Sequence, residues 1–145
     1  MAFSLTDLAA GHVFQPTTFT ITAAMARTYR DAVDDQQDAA YAAAGGAVPP
    51  VAVAALALGS LLREVTLPPG SLHASESLEF RGPVPEGAEV QCRARLAQRS
   101  VRAGWVVSVL ETELFFDGRP AVTARATVLS PAEPSAPASG RLGGA

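Results

Sequence analysis

Lysine and asparagine are absent from this chain, cysteine occurs once, histidine twice, and aromatic residues make up 6% of it. Each shortage closes off a class of function. All 11 basic side chains are arginines, and 14 acidic ones outweigh them to leave a formal net charge of −3. A nucleic-acid partner calls for a basic stripe, so none is expected here. The missing lysine, in so alanine-rich a chain, reads as the codon bias of a GC-rich genome rather than as function. The single Cys92 has no partner for an intrachain disulfide, which fits a reducing intracellular setting. The longest apolar stretch, Val51 to Leu58, falls far short of the ~20 residues that cross a bilayer. The opening MAFSLTDLAAGHVF has no basic region followed by an apolar run, so it is not read as a secretory signal. The expectation is a cytoplasmic protein with no membrane partner, and no metal or cofactor is expected.

What is present is apolar. At 145 residues and 48% apolar content, the chain is long enough to bury a core as one domain. No internal repeat suggests a second. We assign residues 1–130 to that domain and 131–145, PAEPSAPASGRLGGA, to a disordered tail with almost nothing to bury.

Along the domain, residues 1–16 read as an irregular lead-in broken by Gly11 and Pro16, with His12 exposed. Thr17 to Thr22 alternates, with Phe19 and Ile21 on one face, and predicts a short strand. Thr22 can cap a helix from Ala23 to about Val33, whose Met25, Tyr29 and Val33 fall four apart on one stripe. Asp34-Asp35-Gln36-Gln37 ends that helix. Asp38 is expected to cap the short AAYAAA segment, which Gly45-Gly46 stops.

Pro49-Pro50 then suits a helix start, and from Val51 to Leu62 only Gly59 and Ser60 interrupt the apolar run. Gly59 costs ~1 kcal/mol against alanine in a helix, which is tolerable where another backbone comes close. A helix apolar on nearly every side needs a sheet around it. Strands are expected at about 72–81, 88–98, 104–116 and 120–129. In the second, Val90, Cys92, Ala94 and Leu96 alternate with polar or small neighbours, and Asp117-Gly118 marks a tight hairpin. Trp105 and Phe115-Phe116 read as packing residues.

The order of these pieces, with Gly70-Ser71-Leu72-His73, Phe80, Pro83-Val84 and Gly87 after the apolar helix, resembles the MaoC-like acyl-thioester hydratases and dehydratases. The likeness is closest to their N-terminal-type halves. It implies an α+β hotdog fold, a curled antiparallel sheet wrapped around a central helix. It further implies an acyl-thioester substrate, carried on coenzyme A or acyl-carrier protein, and a homodimer or a heterodimer with a second hotdog subunit. The reaction implied is hydration or dehydration of a 2-enoyl or 3-hydroxyacyl chain. The alternatives are a non-catalytic subunit of a heteromeric dehydratase, and a hotdog thioesterase.

The family's D-x-N-P-x-H motif sets an Asp and a His five apart on a loop before the central helix, for general acid–base work. Here Asp35 stands at the Asp position, Ala40 replaces the His, and Gln37 and Asp38 replace Asn and Pro. Tyr41 lies one step further on. Tyrosine, with an ordinary pKa near ~10, is a weak base at neutral pH. Asp35 either terminates the helix or faces substrate. His73 either braces the loop before the helix or supplies the missing base; its strand sets it in phase with Ser75, Ser77 and Glu79. Asp35, Tyr41 and His73 are thus the candidate catalytic set. By resemblance, the amides of Val51 and Ala52 at the helix start would hold the thioester carbonyl, through the helix dipole. Arg93 and Arg95, with Arg99 and Arg102, either carry solvated charge or meet the carrier's phosphates.

Overall fold

The computed structural model describes residues 3–132. Of the expected tail, residues 131–145, Pro131 closes the last strand and the Ala132 N–H bonds the Gly104 carbonyl at 2.8 Å; the remainder lies outside the described residues. A short parallel pair joins β1 (Phe3–Ser4) to β3 (Val65–Thr66). The main sheet has the order β2-β5-β6-β7-β4, with β2 at Thr17–Thr20, β4 at Leu72–Phe80, β5 at Glu89–Arg102, β6 at Trp105–Phe116 and β7 at Arg119–Pro131. All its pairings are antiparallel. Three helices lie between β2 and β3: α1 (Ala23–Ala32), α2 (Asp38–Ala43) and α3 (Pro50–Leu62).

The local signals explain most of these bounds. Thr22 caps α1 by accepting a hydrogen bond from the Met25 amide at 3.1 Å, which satisfies one of the donors a helix start leaves open. Val90, Cys92, Ala94 and Leu96 are all buried along β5. The β6–β7 hairpin turns at Asp117 and Gly118, both at positive φ, as a tight two-residue hairpin requires.

α3 lies on the sheet and organises the core in two halves. Ala52, Val53, Ala54 and Ala57 pack with Val84, Val90, Leu114 and Val122. Leu61 packs with Val65, Leu96, Leu110 and Val128 toward the carboxyl end. The helix is not enclosed all round: Val51 and Leu62 are 49% and 37% exposed.

Several expectations change. The lead-in is a packed part of the domain, because Leu5, Leu8 and Phe14 bury into the carboxyl-end cluster. Its backbone is tied to β5 by Gly11 N–H to the Leu96 carbonyl (2.7 Å) and Leu96 N–H to the His12 carbonyl (2.8 Å). His12 is accordingly half-buried, edge-on to the Phe14 ring at 4.9 Å between centroids. Val33 is exposed, since α1 ends at Ala32 and the stripe loses its last member. Gln37, not Asp38, holds the cap position of α2. No other described residue approaches the open side of Gly59.

The strand bearing His73 also differs. A bulge between His73 and Ser75 shifts the alternation by one, as an extra residue does. His73 pairs with Val128 and Glu76 with Ala126, while Leu78 and Phe80 pair with Ala124 and Val122. Directly paired residues share a face, so His73 and Glu76 lie on the core-side face, not with Ser75, Ser77 and Glu79.

Candidate functional site

The loop before α3 is built from the way α1 ends. Asp34 takes a left-handed backbone at φ 55, its N–H reaches the Asp31 carbonyl, and the Asp35 N–H reaches the Arg30 carbonyl at 2.8 Å. This pair of bonds is a Schellman cap with aspartate where glycine is usual. It fixes the Asp35 backbone. The Asp35 carboxylate then accepts from the Gln37 amide at 3.1 Å, starting the turn into α2, and from the Tyr41 hydroxyl at 2.6 Å.

Asp35 and Tyr41, six apart in sequence, thus form one hydrogen-bonded pair. The bond from Tyr41, then that from the Gln37 amide, hold the Asp35 carboxyl below the usual aspartate range; burial opposes them, and the charge of Arg30 adds the least to the lowering. The same bond, with burial second, pushes the Tyr41 hydroxyl above the usual tyrosine range. At neutral pH the carboxylate is ionised and the phenol protonated. The pair can orient a water through the phenol oxygen, but neither member is poised to take a proton from it.

Two residues that the sequence reading passed over complete the surroundings. The Arg30 guanidinium stands 5.5 Å from the Tyr41 ring centroid and 3.9 Å from the Glu86 carboxylate. With Arg27, they line a cleft of about 570 Å³ beside Tyr41. The visible signal was an arginine one turn before the Asp34-Asp35 terminator.

At the start of α3 the two candidate amides part. Ala52 N–H bonds the Pro49 carbonyl at 2.9 Å, whereas the Val51 amide has no backbone partner among the described residues. Val51 is the donor that remains open there.

His73 is elsewhere. It pairs with Val128, at the far end of β4 from Phe80, and seven strand steps of ~3.3 Å make that ~23 Å. Its Nε2 lies 3.8 Å from the Glu76 carboxylate, and the side chain is 45% exposed. The structure of one chain therefore joins Asp35 to Tyr41 and leaves His73 apart.

Arg93 and Arg95 lie on the sheet face opposite α3, since they alternate with buried Val90, Cys92, Ala94 and Leu96. Arg95 makes a two-armed contact with Glu111 (3.0 and 2.6 Å), and Arg125 takes that carboxylate's other oxygen at 2.7 Å. Arg93 stacks over Phe115 at 4.7 Å. Arg99 holds the Thr6 carbonyl, a role in pinning the lead-in. A second cleft of about 570 Å³ opens on this outer face, walled largely by charges already paired with one another.

Comparison with known proteins agrees with this architecture. The family model of the FAS1-like dehydratase domain region matches residues 9–124. The chain belongs to that family. A MaoC-like dehydratase from Rhodospirillum rubrum superposes with a TM-score of 0.72 at 20% identity, covering 92% of this chain and 99% of that one. An (R)-hydratase from A. caviae, involved in PHA biosynthesis, is 26% identical, with a TM-score of 0.67 over 84% of this chain and 96% of its own. A complex from Mycobacterium tuberculosis, a 3R-hydroxyacyl-ACP dehydratase, is 22% identical with a TM-score of 0.71, covering 87% and 100%. No curated protein sequence matches the chain significantly. The fold is the hotdog, as the order of its elements implied. Among the described residues no helix is long and apolar enough to cross a membrane.

Proposed function

We propose that this FAS1-like dehydratase-region protein acts on acyl thioesters, adding water reversibly across the 2,3 double bond of an enoyl chain to give the 3-hydroxyacyl thioester. The acyl group is carried on coenzyme A or acyl-carrier protein, and the working unit is a pair of hotdog chains. The observation that carries this reading is the 2.6 Å Asp35–Tyr41 bond on the loop before α3, where the resembling enzymes keep their Asp and His. The names of the (R)-hydratase and the hydroxyacyl-ACP dehydratase among the neighbours point the same way.

In this reading Tyr41, its proton engaged by Asp35, presents its oxygen to a water and orients it. The open Val51 amide, at the positive end of α3, receives the thioester carbonyl as charge builds on its oxygen. The acyl chain follows the exposed apolar side of α3 from Val51 toward Leu62. Arg27, exposed on the cleft beside Tyr41, joins Arg93 and Arg95 as a candidate for the carrier's phosphates. The protein is assayed directly by incubating it with enoyl thioesters of graded chain length on both carriers and following the loss of enoyl absorbance.

A second reading is favoured by the protonation states of the pair. With no base at Asp35–Tyr41, the chain would be the non-catalytic partner of a second hotdog subunit that holds its own Asp and His. Turnover that appears only on adding such a subunit would establish it. Release of free thiol would instead favour a thioesterase.

A further inference from the structure

We infer that the imidazole missing from the Asp35–Tyr41 loop is supplied by His73 of a second copy of this chain. The inference rests on the hydration reading and on pairing of two chains, and it names what the second copy contributes.

β4 is an edge of the main sheet, and every one of its residues except Leu78 is exposed. Leu72 and Phe80, at its two ends, are 54% and 44% exposed. A nine-residue edge bearing large apolar side chains and no proline is a template for another strand. The direction of β4 matters most. Phe80 pairs with Val122, in the cluster around Ala52 and Val53. His73 pairs with Val128, in the cluster around Leu61. β4 therefore starts beside the carboxyl end of α3 and finishes beside its amino end, and His73 sits at the wrong end for its own chain.

A two-fold axis reverses that. Two copies of one edge strand joined about an axis normal to the sheet pair antiparallel, the closed arrangement commonest among oligomers. With the extra residue of the bulge counted out, an axis at Ser77 sets His73 of one copy opposite Phe80 of the other, next to Arg81 and on the same core-side face. A slip of the axis by one residue keeps it between Leu78 and Gly82. That end of β4 leads directly to Val84, whose carbonyl accepts from the Val48 amide at 2.7 Å, just before the start of α3. The charges along the strand fit this occupant. With the axis at Ser77, Glu76 faces Leu78 and Ser75 faces Glu79, whereas an axis at Glu76 would oppose two carboxylates, which is unfavourable. The bulge that turns His73 to the core-side face aims it at the side of the sheet on which α3 lies. Glu76, 3.8 Å from Nε2, is placed to stabilise the imidazolium.

The imidazole then completes the step the loop lacks. It takes a proton from the water held at Tyr41 as the water oxygen bonds C3. The imidazolium returns that proton to C2, so hydroxyl and hydrogen are added and His73 ends neutral. Dehydration runs the same transfers in reverse.

The test is complementation in mixed dimers of two differently tagged full-length chains. A dimer of an Asp35→Asn chain with a His73→Ala chain keeps one intact site if His73 acts across the interface, and retains about half of wild-type turnover. A dimer of the doubly substituted chain with a wild-type chain then has no intact site and falls ~100-fold or more, the usual worth of a positioned base. The opposite pattern would place His73 in its own chain's site and overturn the inference, as would a His73→Ala homodimer of wild-type activity. Position is read independently of activity by cross-linking a His73→Cys, Arg81→Cys chain with a short bis-maleimide. Within one chain those positions are eight strand steps apart, ~26 Å, so a covalent dimer supports the placement. No cross-link in a protein that light scattering shows to be dimeric overturns the inference while leaving the pairing intact. A monomer overturns the pairing itself, and a wild-type protein inert toward every enoyl thioester overturns the hydration reading.

Discussion

At the scale of residues, the decisive feature is a bond between two side chains that the sequence places six apart. The position of Asp35 was legible, because it falls where the resembling enzymes keep an aspartate. Its bond to Tyr41 was not, because it depends on Asp34 adopting a left-handed turn that glycine usually announces. The bond lowers the pKa of Asp35 and raises that of Tyr41, with opposite consequences for stability. For Asp35 the contribution is complete above the usual aspartate range and is lost as pH falls through its lowered folded pKa. For Tyr41 it is complete below the usual tyrosine range and is lost as pH rises through the raised folded pKa. Ultraviolet titration should show one tyrosine ionising later than usual, and Asp35→Asn should bring it back; an unchanged curve would mean the bond does not persist in solution. Cys92 belongs to the same scale. Burial pushes its thiol pKa up, against a smaller opposing effect from the Thr17 side chain. A thiol reagent should therefore label the folded protein far more slowly than the denatured one.

At the scale of elements, local signals served well where one face of one segment decides the matter. The Thr22 cap, the proline start of α3 and the alternation of β5 all stand as read. The Thr22→Ala change should cost about 1 kcal/mol, seen as a lower thermal midpoint with little change in fold. The lead-in was misread because Leu5, Leu8 and Phe14 follow neither a two-residue nor a 3.6-residue period. Their burial is set by Leu61, Leu96 and Leu110 from distant parts of the chain. Phe14→Ala should then cost about 3–5 kcal/mol, as truncation of a buried aromatic does, while loss of a loose strap would cost almost nothing. A denaturant titration separates the two. The bulge in β4 was equally invisible, since no glycine marks it, and it alone moved His73 to the other face.

At the scale of the whole molecule, the hotdog could be read from the order of pieces: an apolar helix opened by two prolines, then strands of the right number and patterning. What remained hidden was the relation of the candidate residues to one another, because strand direction and sheet edge are properties of topology. The exposed edge of β4 and the exposed side of α3 make a lone chain incomplete in the same way that its site is. Light scattering should show a dimer, and a Ser77→Lys change at the exposed edge should weaken it, because it sets two like charges opposite each other where the strands pair. The most direct test of the account is the hydration of a 2-enoyl thioester by the purified wild-type protein beside its Asp35→Asn variant. The account predicts a 3-hydroxyacyl product, turnover lowered ~100-fold or more in the variant, and undiminished binding of the thioester. Turnover that Asp35→Asn leaves unchanged, or free thiol as the product, would contradict it.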